Sequence, residues 1–386
     1  MDFKEWFCLN GRDSFTIDPK INAGDEKFFF GRDDIQKNLA ARFSRAFIDP
    51  KVPKLVLYGA YGSGKTQTLF HIAYMLKTTP PRSLKASPRT IQLVVEMRSR
   101  STHSDWHLQL MEALGKEVLT GWLELLFKKH QDFDKFVAQL VGEPNITKAL
   151  LNIKGGGDIP LIAWRWLSGL KLTPAELQRL FLTRNLGDIG TADLVNVLVA
   201  IGKVAEECGE KLIFLVDEVE SFHMISNADA INNVHDYLRR LASPDNATVG
   251  FVLSMYGLTA DQVPEVVNRA DVRTRIGNQN YIEIEPLPTI ADVRRFTLEL
   301  LSQFIDKTMA EKRITAHKLT VALETYPFEA GAFDLLCDYA SQDPSKALPR
   351  NIIAALNECA ISTWDAGKYV IEQQIVNDIA PIVFGS

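Results

Sequence analysis

The sequence is poor in the residues that staple, span or ligate. Its 386 residues include only four cysteines, Cys8, Cys208, Cys337 and Cys359, and no two of them share C-x-x-C spacing. That scatter argues against a disulfide framework or a thiolate zinc site and matches the cysteine usage of a reducing, cytoplasmic compartment. No apolar run approaches the ~20 residues of a membrane-spanning helix. The opening residues, MDFKEWFCLNGRD, carry Asp2, Lys4 and Glu5 where a signal peptide needs an apolar stretch. No membrane partner is expected. The histidines show neither H-E-x-x-H spacing nor a triad pattern, and Asp105 and His107 in DWHLQ fall on different helix faces. Charge of either sign is not in strong excess: the formal net charge is −5. Attraction to nucleic acid or an anionic surface would therefore need a local basic patch. There are no repeats and no low-complexity tract.

What is present reads as alternating strands and helices. Five segments look like buried strands: KLVLYG (54–59), TIQLVVEM (90–97), KLIFLVDE (211–218), TVGFVLSMYG (248–257) and YIEIEPL (281–287). Their apolar character is continuous, as in a parallel sheet covered on both faces. Helical patterns separate them, including 66–77 and 191–208, where Thr191 can cap the start and Gly209 suits the end. A doubly wound α/β sheet is expected. Two regions break the rhythm. A long helical insertion, about 101–190, separates the second and third strands; it holds a helical run over 104–129, a flexible KGGGD joint (154–158) and a capping box at Thr173 and Glu176. After PLP (286–288) the chain reads as wholly helical. The loop TTPPRSLKASPRT (78–90) is basic and reads as exposed.

The strongest motif lies directly behind the first strand. Gly59, Ala60, Tyr61, Gly62, Ser63, Gly64, Lys65 and Thr66 fit G-x-x-x-x-G-K-[ST] and open a helix that continues through Gln67. The glycines let successive N–H groups turn inward to phosphate oxygens, and the helix adds its positive end. Lys65 supplies a point charge for the β- and γ-phosphates, and the Thr66 hydroxyl suits Mg²⁺. ATP with Mg²⁺ is the expected ligand. The third strand ends in Asp217 and Glu218, at the edge where parallel sheets present their ligand crevice. Asp217 fits a metal-holding carboxylate, and Glu218 a base that activates water. Ser254, near the tip of the fourth strand, fits either a contact to the γ-phosphate or its water, or a buried serine bonded to backbone.

Together these residues resemble the AAA+ ATPases, and within them the origin-recognition or initiator-like clade, which is related to transposon target-selection and BREX-type phage-exclusion ATPases. The resemblance covers about residues 25–100 and 190–386 and departs at the insertion. KFFFGRDDIQKNLAARF (27–43) looks like the family's leading segment, which implies that Gly31 and Arg32 lie against the adenine. NRADVRTRIGNQNYIEIEPLP (268–288) looks like the arginine-finger loop and fifth strand, with Arg275 the best match and Arg273 the second. ALPRNIIAAL (347–356) looks like the sensor-2 helix start, which implies that Arg350 reaches the γ-phosphate, and KYVIEQQIVNDI (368–379) is similar to a lid's closing helix. The stretch AWRWLSGLKLTPAELQRL…LGDIGTADLVNVL resembles the region before the Asp-Glu strand in the phage-exclusion ATPases.

The resemblance implies a five-stranded sheet of order 5-1-4-3-2, an ATP-binding core over 1–287 and an all-α lid domain over 288–386. It also implies ATP hydrolysis to ADP and phosphate in a homo-oligomeric ring or spiral, with fingers acting in trans. Two roles suit such an ATPase. One is a DNA-associated assembly in replication initiation, transposition or phage defence, with Arg98 and Arg100, or Arg82, Lys85 and Arg89, touching DNA. The other is a protein-remodelling or signalling, STAND-like ATP switch whose helical insertion docks a protein, with Trp106, Trp122, Trp164 and Trp166 as anchors or core.

Overall fold

The computed structural model describes residues 2–48, 52–186 and 190–385; residues 187–189 of the LGDIGTADLVNVL stretch lie outside them. The chain forms two compact units: Met1–Asn38, Gly59–His71 and Ile284–Ser386 make one, and Leu39–Tyr58 with Ile72–Glu283 the other.

The second of these contains, but for Gly59, a sheet of β1 (Lys54–Gly59), β2 (Ser87–Val94), β3 (Glu210–Asp217), β4 (Val249–Tyr256) and β5 (Tyr281–Glu283), in the order β5-β1-β4-β3-β2. The strands run parallel, with Val94 opposite Asp217 and Val56 opposite Tyr281. The expected order and class are both found. β1, β3 and β4 are buried along nearly their whole length. β2 is different. It is one of the two edge strands, its side chains alternate in exposure, and it starts at Ser87 rather than at residue 90. Its start is fixed by pairing with Glu210, where Arg89 also makes a two-pronged ion pair at 2.7 and 2.8 Å.

The insertion does not stand apart from this sheet. Trp106, Trp122 and Trp166 share one apolar cluster with Phe214 and Phe251 of the strands. The expected run over 104–129 is two helices, His103–Leu114 and Lys116–Lys129, parted at Gly115, whose φ of +80° breaks the first. The KGGGD segment is a tight turn: Gly155 N–H donates to the Asn152 carbonyl at 2.9 Å, and a Cβ there would meet Ile159 at 2.8 Å. The Thr173 capping box is present. Thr191 does not cap its helix. Gly190 occupies that position, and the Thr191 hydroxyl bonds Asp236 instead. Buried His107 fastens the insertion to the helix Ala228–Leu241. Its Nε2–H donates to the Leu167 carbonyl at 2.8 Å, so Nδ1 accepts from the Tyr237 hydroxyl at 2.9 Å. Burial drives this imidazole down to about 4, so it is neutral at physiological pH.

The first unit has its own core, in which Phe7, Phe15, Phe28 and Phe30 pack with Phe296, Phe304, Tyr326 and Leu356. Its C-terminal part is helical, except that Phe328 and Ile371 form a β-bridge and Leu9 bridges Ile305. One ion pair sits within this core: Arg12 Nη1 meets Asp25 Oδ1 at 2.5 Å, with Asp25 only 1% exposed. Burial alone would raise the Asp25 pKa. The Arg12 guanidinium, helped by the Asp18 N–H and the Asn22 amide, reverses this and holds it below the usual carboxylate range. The ionised form is therefore the stabilising one, and its contribution is lost as pH falls below about 4, the unfolded carboxyl value, towards the lower native one. Asp25→Ala is expected to cost about 3 kcal/mol at pH 7, as for a buried ion pair that loses one partner. Thermal melts of Asp25→Asn between pH 7 and pH 3 should be flatter than wild type.

Candidate active site

The glycine loop leaves the carboxyl end of β1 and runs into the helix Lys65–Thr78. Gly62 and Gly64 hold φ of +82° and +98°, values that a side chain resists and that turn the loop's N–H groups inward. Gly59 is needed for space: a Cβ there would lie 2.4 Å from the Ile284 carbonyl oxygen. Lys65 is 8% exposed, and its Nζ donates to the Gly59 and Ala60 carbonyls at 3.0 and 2.8 Å. Tyr61, 63% exposed, covers the ammonium at 5.5 Å from the ring centre. Thr66 follows Lys65 in the first turn of the helix.

Arg32, Gln67 and Arg350 brace this loop or its helix within the same unit, and Gly31 lies next to Arg32 in the chain. Arg32 donates to the Ser63 carbonyl at 3.1 Å and to the Glu285 carbonyl at 2.5 Å. Burial pushes its pKa down to about 10, which leaves it charged at neutral pH. Gln67 donates to the carbonyls of Asp25 and Phe28, both at 2.7 Å. Gly31 has φ of +61° and donates to Glu299 at 2.7 Å. Arg350, the second residue of the helix Pro349–Asp365, lays its Cβ 3.1 Å from where a Gly62 Cβ would be, and the residue is exposed. The side chains of Arg32 and Gln67 thus reach main-chain carbonyls, an arrangement that sequence alone did not reveal.

The acidic pair belongs to the other unit. β3 stays buried through Asp217, which is 5% exposed. Its Oδ1 accepts from the Ser254 hydroxyl at 2.7 Å, so that hydroxyl bonds a carboxylate and not backbone. Glu218 is exposed and left-handed, with φ +58° and ψ +36°, and heads the 3₁₀ turn Val219–Met224. That conformation costs about 1–2 kcal/mol in a non-glycine residue and persists only where neighbours enforce it. Because the strands are parallel, β3 and β4 end on the same, carboxyl side of the sheet. No cluster of three or more histidine, cysteine, aspartate or glutamate side chains fit for a metal occurs among the described residues.

The arginine segment is a short helix, Ala270–Ile276, rather than a loop. Arg273 is held there, donating to Asn268 at 2.8 Å and Asn278 at 3.1 Å, with its guanidinium 4.8 Å from the Tyr281 ring centre. Arg275 differs: its Nη1 is buried with no hydrogen-bond partner. Of the basic candidates, Arg89 is paired with Glu210, while Arg82, Lys85, Arg98 and Arg100 are exposed. Trp106, Trp122 and Trp166 are core, and Trp164 is half-buried. No helix among the described residues is long and apolar enough to cross a membrane.

A parallel sheet of this order, with a glycine loop behind β1, an acidic pair at the end of β3 and a helical C-terminal region, is the AAA+ ATPase fold. The chain is similar to the ORC2 protein of Aeropyrum pernix, solved as ADPNP–ADP complexes. The TM-score is 0.50 at 12% identity, over 99% of this chain and 72% of that one. It is also similar to the Walker-type ATPase PABY2304 of Pyrococcus abyssi (TM-score 0.47, 12% identity, 96% and 75% covered). A third likeness is to the RuvB branch-migration motor of Thermotoga maritima (TM-score 0.41, 12% identity, 92% and 70% covered). No protein-family model and no curated protein matches the sequence.

Proposed function

We propose that this chain binds ATP with Mg²⁺, hydrolyses it to ADP and phosphate, and works as a homo-oligomer, a ring or spiral, in the cytoplasm. The observation that carries the reading is the braced loop Gly59–Thr66, with Lys65 held at the start of its helix. In this reading residues 1–287 form the ATP-binding core and 288–386 the lid. The loop's main-chain N–H groups bind the phosphates, and Lys65 exchanges the Gly59 and Ala60 carbonyls for β- and γ-phosphate oxygens. Gly31 and Arg32 belong to the segment beside the base, Arg32 holding the loop's shape. Thr66 and Asp217 would hold the magnesium, which would neutralise charge on the phosphates. Glu218 takes the proton of the attacking water, Ser254 orients that water through Asp217, and Arg350 steadies the γ-phosphate. Arg275 of a neighbouring copy, with Arg273 as the second candidate, meets the charge that spreads over the transferred group.

The proposed role is that of a DNA-associated ATPase, in replication initiation, transposition or phage defence. Exposed Arg98 and Arg100 behind β2 support it, as a sequence-independent contact to phosphates. A second reading, a remodelling or signalling switch that docks a protein on the insertion, is favoured by a specific observation: Leu125, Phe127, Leu161 and Phe181 are more than half exposed there.

One experiment separates these readings. ATP turnover and mass are measured on the full chain with MgATP, with and without duplex and single-stranded DNA, beside Lys65→Ala. Turnover that Lys65→Ala abolishes is expected, together with assembly on ATP and salt-sensitive stimulation by DNA. Absence of nucleotide binding in the wild type would overturn the ATPase reading. Turnover and retention indifferent to DNA at low salt would overturn the DNA role and favour the protein partner.

A further inference from the structure

We infer that Glu220, which lies outside the expected catalytic set, is a positioning residue for hydrolysis: it ties the turn that carries Glu218 to the strand that carries Ser254. Glu220 Oε2 accepts the main-chain N–H of Tyr256 at 3.1 Å. Tyr256 ends β4, and the β3–β4 ladder stops earlier, at Val216 opposite Leu253. The tie therefore extends the joining of the two strand tips beyond the ladder.

Glu218 needs such a tie. Its left-handed backbone is unfavourable, and a turn that starts from it relaxes unless both flanks are held. On the β2 side the turn is fastened by the Ser221 hydroxyl, which donates to the Val95 carbonyl at 3.1 Å. Phe222 adds an edge-on contact with the buried Trp106 ring, 5.0 Å between centres. On the β4 side there are two cross-links, Ser254 to Asp217 and Glu220 to Tyr256, and they bracket Glu218 in the sequence. A carboxylate bonding an amide makes a charge-assisted bond, stronger than a neutral one. Because that oxygen faces the main chain, Glu220 acts on the reaction through Glu218 and Ser254.

A misplacement of about 1 Å at reacting groups costs about a hundredfold in rate. The inference rests on the ATPase reading above, and its test keeps the two apart. In the full chain, Glu220→Ala should speed amide exchange at Tyr256 at least about tenfold. It should lower kcat by about ten- to a hundredfold and leave the Kd for MgADP within about twofold. Glu220→Gln, which keeps an acceptor oxygen in place, should restore both exchange protection and turnover. If the alanine variant melts early, Glu220→Met fills the same volume without an acceptor and gives the same readout. Unchanged exchange at Tyr256, or faster exchange with wild-type kcat, would overturn the inference. A wild-type chain that binds nucleotide without turning it over would instead overturn the ATPase reading beneath it.

Discussion

Arg275→Ala is expected to lower ATP turnover by about a thousandfold or more while ATP binding by the isolated chain is unchanged, since an arginine finger contributes about 10³–10⁵ in rate. Two arginines two residues apart compete for this role, and their surroundings separate them. Arg273 donates to Asn268 and Asn278 and packs on Tyr281, so moving it to a phosphate would break three contacts. Arg275 has a buried nitrogen with no hydrogen-bond partner, so no bond of that nitrogen has to break when the guanidinium swings to a phosphate. Arg273→Ala should therefore mainly lower stability, by about 0.5–1 kcal/mol for the lost ring contact, with a smaller effect on turnover. Mixing Arg275→Ala with Lys65→Ala subunits should recover part of the activity, because each supplies what the other lacks. Weakened nucleotide binding by Arg275→Ala alone would contradict the assignment.

Glu218→Gln should cost at least about a hundredfold in turnover, the usual scale for removing a general base, with MgATP still bound. The amide matches the carboxylate in size and cannot take a proton from water. A sharper sign comes from Glu218→Gly. Glycine accepts φ of +58° without strain, so this variant should melt higher than wild type while losing turnover as completely. Phosphate release and thermal melts measured together check both halves. Retention of half the wild-type rate by Glu218→Gln would remove Glu218 from the chemistry.

The parts of this molecule that depend on neighbouring residues in the chain were legible in its sequence. The glycine loop needs a strand before it and a helix after it, and that context is written within residues 54–78. β3 and β4 announce themselves because both faces are covered, so their runs Leu212–Val216 and Val249–Leu253 hold no charged or hydrogen-bonding side chain. β2 was legible only in part, because an edge strand exposes alternate residues and its start at Ser87 depends on Glu210, over a hundred residues away. The same distance effect hid the roles of Arg32, whose acceptors lie at Ser63 and Glu285, and of Glu220, whose partner is a main-chain N–H on another strand. Local composition favoured Thr191 as a cap, yet Asp236 claims its hydroxyl. Nor does anything in the sequence of the insertion say that its tryptophans fill the same core as the sheet.

The glycine loop folds with residues drawn from both ends of the polypeptide. A fragment ending before Ile284 would contain the whole motif yet lack the Glu285 carbonyl that anchors Arg32 and the Arg350 stem that lies along Gly62. Such a truncation would keep the recognisable signature and lose the scaffold that shapes it. Grafting residues 54–78 onto another host would fail for the same reason, so ligand affinity here should track the integrity of the C-terminal helices as closely as that of Lys65 itself.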